Sequence, residues 1–281
     1  MELTRSYLNV FPEDVLSRYS WIEVRNAAAM IQASDPQTLD DLVKVLSNFN
    51  LTVPYLLDKG GGKSKLAADI DTAFRELGWR ETHMSITTTT VLARQPWRKA
   101  KEKTVESQSI TVEGDTHKVD NVQRRVAIDV EWHAKDGNLD RDVSAFRALF
   151  DAGVIDVGVI ITRSYADIHY LANWLAHDLG RVNYKATTGA EVERFGTTTS
   201  TTMEKLEPRM RRGDGGGCPI LAIGLGLATY TPDATYVDPD GAERTAPEVP
   251  AIPESLAREL TSQALAETDD EDEDEIPTDE G

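Results

Sequence analysis

The sequence predicts an α/β fold in which a central mixed β-sheet is flanked by helices on both faces. Two continuous apolar runs, VIDVGVIITR at 154–163 and CPILAIGLGL at 218–227, have the composition of strands buried on both sides, as parallel strands are. A β-branched block from about 84 to 134 is cut by turn residues, which is how an antiparallel meander reads. Segments with apolar residues three and four apart lie before, between and after these strands and supply the covering helices.

Taken in chain order, SWIEVRNAAAMIQ at 20–32 fits strand or helix. SDPQTLDDLVKVLSNF opens with a cap signal and Pro36, predicting a helix over about 36–48, and LTVPYLL follows as a short apolar run. GGGKSKLAADIDTAFRELGW continues with Leu66, Ile70, Phe74 and Leu77 on one helical face and stops at Gly78. MSITTTTVL reads as a strand, SQSITVEGDTHKVDNV as two strands around a Gly-Asp turn, and RRVAIDVEWHA as a further strand. LDRDVSAFRALFDA at 139–152 is an amphipathic helix that buries Val143, Phe146, Leu149 and Phe150. SYADIHYLANWLAHDLG is another helix, and TSTTMEKLEPRMRR is a helix limited by Pro208. These elements divide the chain into an N-terminal segment packed on the core (1–59), the core domain (60–235), a Pro- and acid-rich extension (236–266) and a disordered acidic tail (267–281).

Bulk properties narrow the function classes. No run approaches the roughly 18 apolar residues of a membrane span, and MELTRSYLNVFPED lacks a basic region followed by an apolar one, so the expected location is the cytoplasm. Cys218 is the lone cysteine and packs as a small apolar residue, which excludes an intrachain disulfide framework. The net charge of −18 is concentrated at the C-terminus, where residues 267–281 carry ten acids and no base. The remaining 38 acids and 30 bases leave about −8 over residues 1–266, with local basic stretches at 94–103, Arg124–Arg125 and 209–212. One positive face on an acidic protein is enough to meet a phosphate backbone. The tail serves solubility or shields such a face by mimicking nucleic acid.

Chemistry concentrates in VDNVQRRVAIDVEWHAKDG. Asp129 and Glu131 are two apart on one strand and share a face, while Val126, Ile128 and Val130 take the other. Asp120 ends the preceding strand, and a tight turn near Asn121–Gln123 brings it beside Asp129. Carboxylates gathered in an apolar sheet cost free energy unless something neutralises them, and an all-oxygen set suits a hard divalent cation such as Mg²⁺. The backbone carbonyl of Val130 offers a further oxygen, and Glu131 is placed to orient or deprotonate a water. On spacing alone a solvated strand face remains the competing reading. GGGKSKL is not a nucleotide-binding P-loop, because Leu57 stands where the motif needs its first glycine, but the helix start with Lys63 and Ser64 can hold a phosphate. Arg124, Arg209, Arg211 and Arg212 are candidates for phosphate or guanine contacts, and the hydroxyls of TTTSTT at 197–202 for phosphate or base. No nucleophile-elbow motif or Ser-His-Asp constellation is present.

Asp120, eight residues, Asp129, one residue, Glu131 resembles the PD-(D/E)XK nuclease signature, in the version of the BglII/BamHI group of type II restriction endonucleases. The helix after the motif, the apolar strand ending in Arg163, the later helices and CPILAIGLGL extend the resemblance over roughly residues 60–228. The resemblance implies a restriction-endonuclease-like core and a Mg²⁺-dependent endonuclease, with Mn²⁺ as substitute. It implies a homodimer acting on double-stranded DNA at a palindromic site, with a cognate DNA methyltransferase in the same system. By position, Asp120 and Asp129 are then metal ligands, and Glu131 stands where the wider motif has lysine. An additional acid from the helix before the sheet is expected at Glu81, or at Glu76. His133 lies next along the Glu131 face and reads as structural. A repair or structure-selective nuclease of the same fold, and a catalytically idle DNA-binding module, are the alternatives.

Overall fold

The computed structural model describes residues 1–57, 64–95, 105–132, 137–178, 183–184, 191–192, 201–237 and 241–271. A 3₁₀ turn at Ser6–Asn9 and the short helix α1 (Glu13–Leu16) lead into strand β1 (Tyr19–Val24) and helix α2 (Ala27–Ser34). The ambiguous segment 20–32 is thus a strand followed by a helix. The N-terminal stretch is fastened by Glu23, a fully buried carboxylate that accepts from Ser6 N at 2.6 Å, Ala28 N at 2.7 Å, and the hydroxyls of Ser6 and Thr4 at 2.6 and 2.9 Å. Helix α3 (Pro36–Asn48) starts where its sequence says it should: Asp35 caps it by accepting from Thr38 N, and Pro36 occupies the first turn. The run at 51–57 contains helix α4 (Val53–Leu57).

Helix α5 (Lys65–Glu76) leads through Gly78, at φ +100, into β2 (Arg80–Arg94). Strand β3 (Glu106–Gln123) pairs back on it along almost its whole length. The expected Gly-Asp turn is corrected here. Gly114 and Asp115 lie inside one continuous strand, where three steps of β3 from Glu113 to Thr116 match two of β2 from Ser85 to Thr87. The extra residue is a bulge, a role glycine fills as readily as a turn. The chain reverses instead at Arg124–Arg125, with Arg124 at φ +51, so Asn121–Gln123 remain paired strand residues. Strand β4 (Val126–Val130), helix α6 (Gly137–Asp151), strand β5 (Val157–Arg163) and helix α7 (Tyr165–Asp178) follow. A minimal ladder joins β6 (Asn183–Tyr184) to β7 (Glu191–Val192), and helix α8 (Met203–Arg212) precedes β8 (Ile220–Leu225). Pro208 does not limit α8, which runs on to a C-cap at Gly213 in the left-handed region. Pro208, the sixth of its ten residues, forfeits one hydrogen bond, and the buried face of Leu206, Arg209 and Met210 holds the helix together.

Among the described residues the central sheet has six strands in the order β1-β8-β5-β4-β3-β2. The central β8-β5-β4 ladders are parallel; β1 at one side and the β2–β3 meander at the other are antiparallel. Val126, Ile128, Val130, Val159, Ile161 and Ile223 point into a core closed by α2, α3, α5 and α7. Ala127, Ile160 and Ala222 point into a second core closed by α6 and α8. The expected mixed sheet with helices on both faces is therefore present. A hairpin of β9 (Thr235–Val237) and β10 (Glu243–Thr245) follows, and helix α9 (Glu254–Glu271) then packs Leu260 and Ala264 on Tyr165 and Ala166 of α7. The first acidic residues of the tail thus continue this helix, while 272–281 lie outside the described residues.

The seating of α6 on the sheet depends on Gly158. A Cβ there would fall 2.3 Å from Phe146 Cδ2, and Phe146 is fully buried. Gly158→Ala is expected to destabilise the fold by about 1–3 kcal/mol, the usual cost of overpacking a filled core, measured as a lower midpoint in urea with an unchanged slope.

Candidate active site

Strand β4 is buried at all five positions, so it is held from both faces and by β3 and β5 at its edges. Period-two alternation sends Ala127, Asp129 and Glu131 toward α6. The ladder extends one step past Val130, because Glu131 N donates to Ile161 O at 2.8 Å. Regular β3–β4 pairing reaches Asn121 opposite Ile128, and the next position is closed by a side chain: Asp120 N donates to Asp129 Oδ1 at 2.9 Å. The predicted meeting of Asp120, Asp129 and Glu131 is observed, and all three line a cavity of about 360 Å³.

Helix α6 completes this cavity with Arg141 and Asp142. Asp142 is 2% exposed, and its carboxyl lines the cavity beside that of Glu131. Arg141 reaches Asp142 Oδ1 through Nε at 3.1 Å and Nη2 at 3.0 Å, and Nη2 lies 3.6 Å from Glu131 Oε1. Sequence reasoning missed both residues, although a signal for Asp142 existed: position 142 lies three after Leu139 and four before Phe146, on the apolar stripe of the helix.

Unlike Glu23, whose carboxylate is saturated by donors, these acids are underprovided. Asp129 Oδ2 and Asp142 Oδ2 are buried with no hydrogen-bond partner. Burial, then the neighbouring Asp142, pushes the Asp129 carboxyl well above the usual carboxylate range, against the opposing Asp120 N–H. Glu131 is pushed up to about 9, first by burial and then by Asp142, and Asp142 is raised mainly by burial. Among the described residues, no three His, Cys, Asp or Glu side chains converge on one point at ligating distance. The donor chemistry nonetheless fits a hard divalent ion: four carboxylates line the cavity, and two of their oxygens are buried without a partner.

Other predicted site residues lie elsewhere. Glu81 is not part of the cavity lining; it sits on β2, paired with Lys118 at 2.9 Å and 3.6 Å from His83. Glu76 borders a larger cavity of about 670 Å³ between α3 and α5, which holds no comparable carboxylate cluster. Ser64 spends its hydroxyl as the cap of α5, accepting from Ala67 N at 3.2 Å, while Lys63 and His133 lie outside the described residues. Arg209 is not a free phosphate contact: it is 8% exposed and forks onto Asp140 at 2.7 and 2.9 Å, tying α8 to α6. Arg211 pairs with Glu207 and Arg212 with Asp214. Both follow α8 to the start of β8, and Arg124, paired with Asp35, precedes β4; all three are at the sheet end opposite the carboxylates. From the threonine run, Thr201 donates to Glu131 O at 3.3 Å and Thr202 caps α8, both buried; 197–200 lie outside the described residues. Cys218 is buried, which pushes its thiol up to about 12 and keeps it inert.

A mixed sheet that presents buried carboxylates at the carboxyl end of a central strand, with a meander supplying the first acid, is consistent with a restriction-endonuclease-like fold. Residues 19–225 match the family model described as restriction endonuclease BglII/BglIII, well over half of the chain. The chain belongs to that family, and it is a type II site-specific deoxyribonuclease acting on double-stranded DNA. Restriction endonucleases typically use a divalent metal. No curated protein matches the chain. Among the described residues no helix is long and apolar enough to cross a membrane.

The raised carboxyls have a consequence for stability. Their protonated forms are favoured by the fold, so without divalent metal stability falls as pH rises from the ordinary value of 4.5 for Glu131 toward about 9. Asp129→Asn is expected to raise metal-free stability at neutral pH by roughly 1–3 kcal/mol, the cost of one poorly satisfied buried group. Denaturation at pH 5, 7 and 9 with and without EDTA measures both effects; metal-free stability that does not fall from pH 5 to 9 contradicts the first, and a variant no more stable than wild type at pH 7 in EDTA contradicts the second.

Proposed function

We propose that the protein is a Mg²⁺-dependent type II restriction endonuclease that hydrolyses duplex DNA at a specific palindromic site as a homodimer, leaving 5′-phosphates. Mn²⁺ is expected to substitute, and a methyltransferase of the same specificity to protect the host. The observation that carries the metal reading is the pair of buried, unpartnered oxygens on Asp129 and Asp142, facing a cavity that Asp120 and Glu131 also line.

Asp120, Asp129 and the backbone carbonyl of Val130 would hold the cation. Bound there, it supplies Lewis acidity toward the scissile phosphate and a water of lowered pKa. The protein's own part is orientation and proton transfer. Glu131, fixed at its backbone by Ile161 O and by Thr201 Oγ1, keeps its carboxyl at the cavity wall, where it accepts the proton of the attacking water. A positive charge placed among these acids lowers their pKa values and restores Glu131 to the ionised form that a base requires. Burial of β4 on both faces keeps this geometry from drifting.

Digestion of unmodified plasmid and phage DNA with Mg²⁺, followed by sequencing of the ends, tests the reading. Discrete fragments sharing one palindrome support it; nicking confined to junctions, flaps or damaged bases overturns it in favour of a repair nuclease. Asp120→Asn and Asp129→Asn are each expected to lower cleavage by at least about 100-fold, the scale for loss of a preorganised electrostatic group, while the band shift with duplex DNA persists. Full cleavage by either variant removes that residue from the metal site.

A further inference from the structure

The motif of this chain carries an acid, Glu131, where the wider signature places lysine, so β4 provides no cation beside the scissile phosphate. The structure supplies one from another element. Arg141, in the first turns of α6, lines the same cavity as Asp120, Asp129 and Glu131. Its Nη2 lies 3.0 Å from Asp142 Oδ1 and 3.6 Å from Glu131 Oε1. The two ends of this pair differ: Asp142 is buried, whereas the Arg141 side chain is 61% exposed. The carboxylate is therefore fixed, and the guanidinium is anchored on one side and open to solvent on the other. A guanidinium presents a fork of donors matched to phosphate oxygens. Lys118, also at the cavity, is drawn to Glu81 at 2.9 Å on its outer side, a less suitable arrangement for reaching inward.

We propose that Arg141 is a catalytic residue that takes the place of the absent motif lysine: it rests on Asp142, beside Glu131, when no metal is present and turns onto a non-bridging oxygen of the scissile phosphate when substrate and metal arrive. The proposal rests on the metal-dependent reading above. In the reaction, water oxygen bonds to phosphorus and the P–O3′ bond breaks. The proton of the water passes to a carboxylate, the 3′ oxygen takes a proton from solvent, and Arg141 stays protonated throughout. Its contribution is charge stabilisation of the pentacovalent phosphorus, and metal binding itself does not need it. Its charge lies in the cavity that the cation would enter, so its removal leaves metal affinity intact or tightens it.

The test uses full-length Arg141→Ala, Arg141→Lys, Lys118→Ala and Asp129→Asn, with a duplex carrying the site mapped from digested plasmid. Arg141→Ala is expected to lower the single-turnover cleavage constant by roughly 100- to 1,000-fold, the scale for loss of one preorganised donor in a transition state. Added methylguanidinium should recover part of that rate, and Arg141→Lys should retain more than the alanine variant. Calorimetric titration with Mn²⁺ should show affinity in Arg141→Ala equal to or tighter than wild type, and lost in Asp129→Asn. Wild-type cleavage by Arg141→Ala, a loss that methylguanidinium does not touch, or a rescuable loss in Lys118→Ala instead, overturns the assignment. Weakened Mn²⁺ binding in Arg141→Ala also overturns it, whereas unchanged binding in Asp129→Asn overturns the metal reading on which it rests.

Discussion

The architecture turns on one unfavourable juxtaposition: the carboxyls of Asp129, Glu131 and Asp142 packed together between β4 and α6, with two oxygens lacking partners. A fold tolerates this only where the surrounding packing dictates it. Strand β4 is sealed on one face by the large core of α2, α3, α5 and α7, and its neighbours β3 and β5 fix its register. Helix α6 is pressed onto the other face by Leu139, Val143, Phe146 and Leu149, with Gly158 giving Phe146 its place. Glu23 shows the alternative course for a buried acid, since four donors within 2.9 Å leave it nothing to recruit. The contrast separates a carboxylate saturated by donors from carboxylates left short of them.

The two ends of the sheet are electrostatically different. Parallel β4, β5 and β8 all begin at the end where Arg124, Arg211 and Arg212 lie, and the acids gather where β4 finishes. The arginines nearest the chain reversals satisfy local acids, Asp35, Glu207 and Asp214, and so contribute little net positive field. Among the described residues, Lys118 and Arg141 are the lysine and arginine that line the cavity at the carboxylate end. A net charge of −18 opposes long-range attraction to DNA, and only a local positive face can offset it.

The legible part of the site was the part written along one strand. Asp129 and Glu131 follow from a period of two, and Asp120 from its position on the neighbouring strand, because an antiparallel meander joins residues close in sequence. Asp142 and Arg141 reach the site through helix packing, which periodicity indicates only as an acid on an apolar stripe. The parallel strands, the mixed sheet and α3 were visible for the same local reasons. The Gly-Asp pair misled because a bulge and a turn want the same residues, and only partner register distinguishes them. Pro208 misled because the packing of one buried helix face outweighs the hydrogen bond that an interior proline forfeits.

Arg209 shows how an apparent ligand contact becomes part of the scaffold of the site. Within RMRR nothing distinguishes it from Arg211 and Arg212, but helical spacing places it on the face of Leu206 and Met210, against the sheet. There its guanidinium forks onto Asp140, one residue before Arg141 and two before Asp142, and donates to Lys205 O at 2.8 Å. A bidentate arginine–carboxylate pair fixes direction as well as distance. Helix α6 is thus pinned at one point by Phe146 in the hollow of Gly158 and at another by Asp140 on Arg209. Two pins on one helix restrain its rotation and its slide, and these are the motions that would carry Asp142 away from Glu131 and Arg141 away from the cavity.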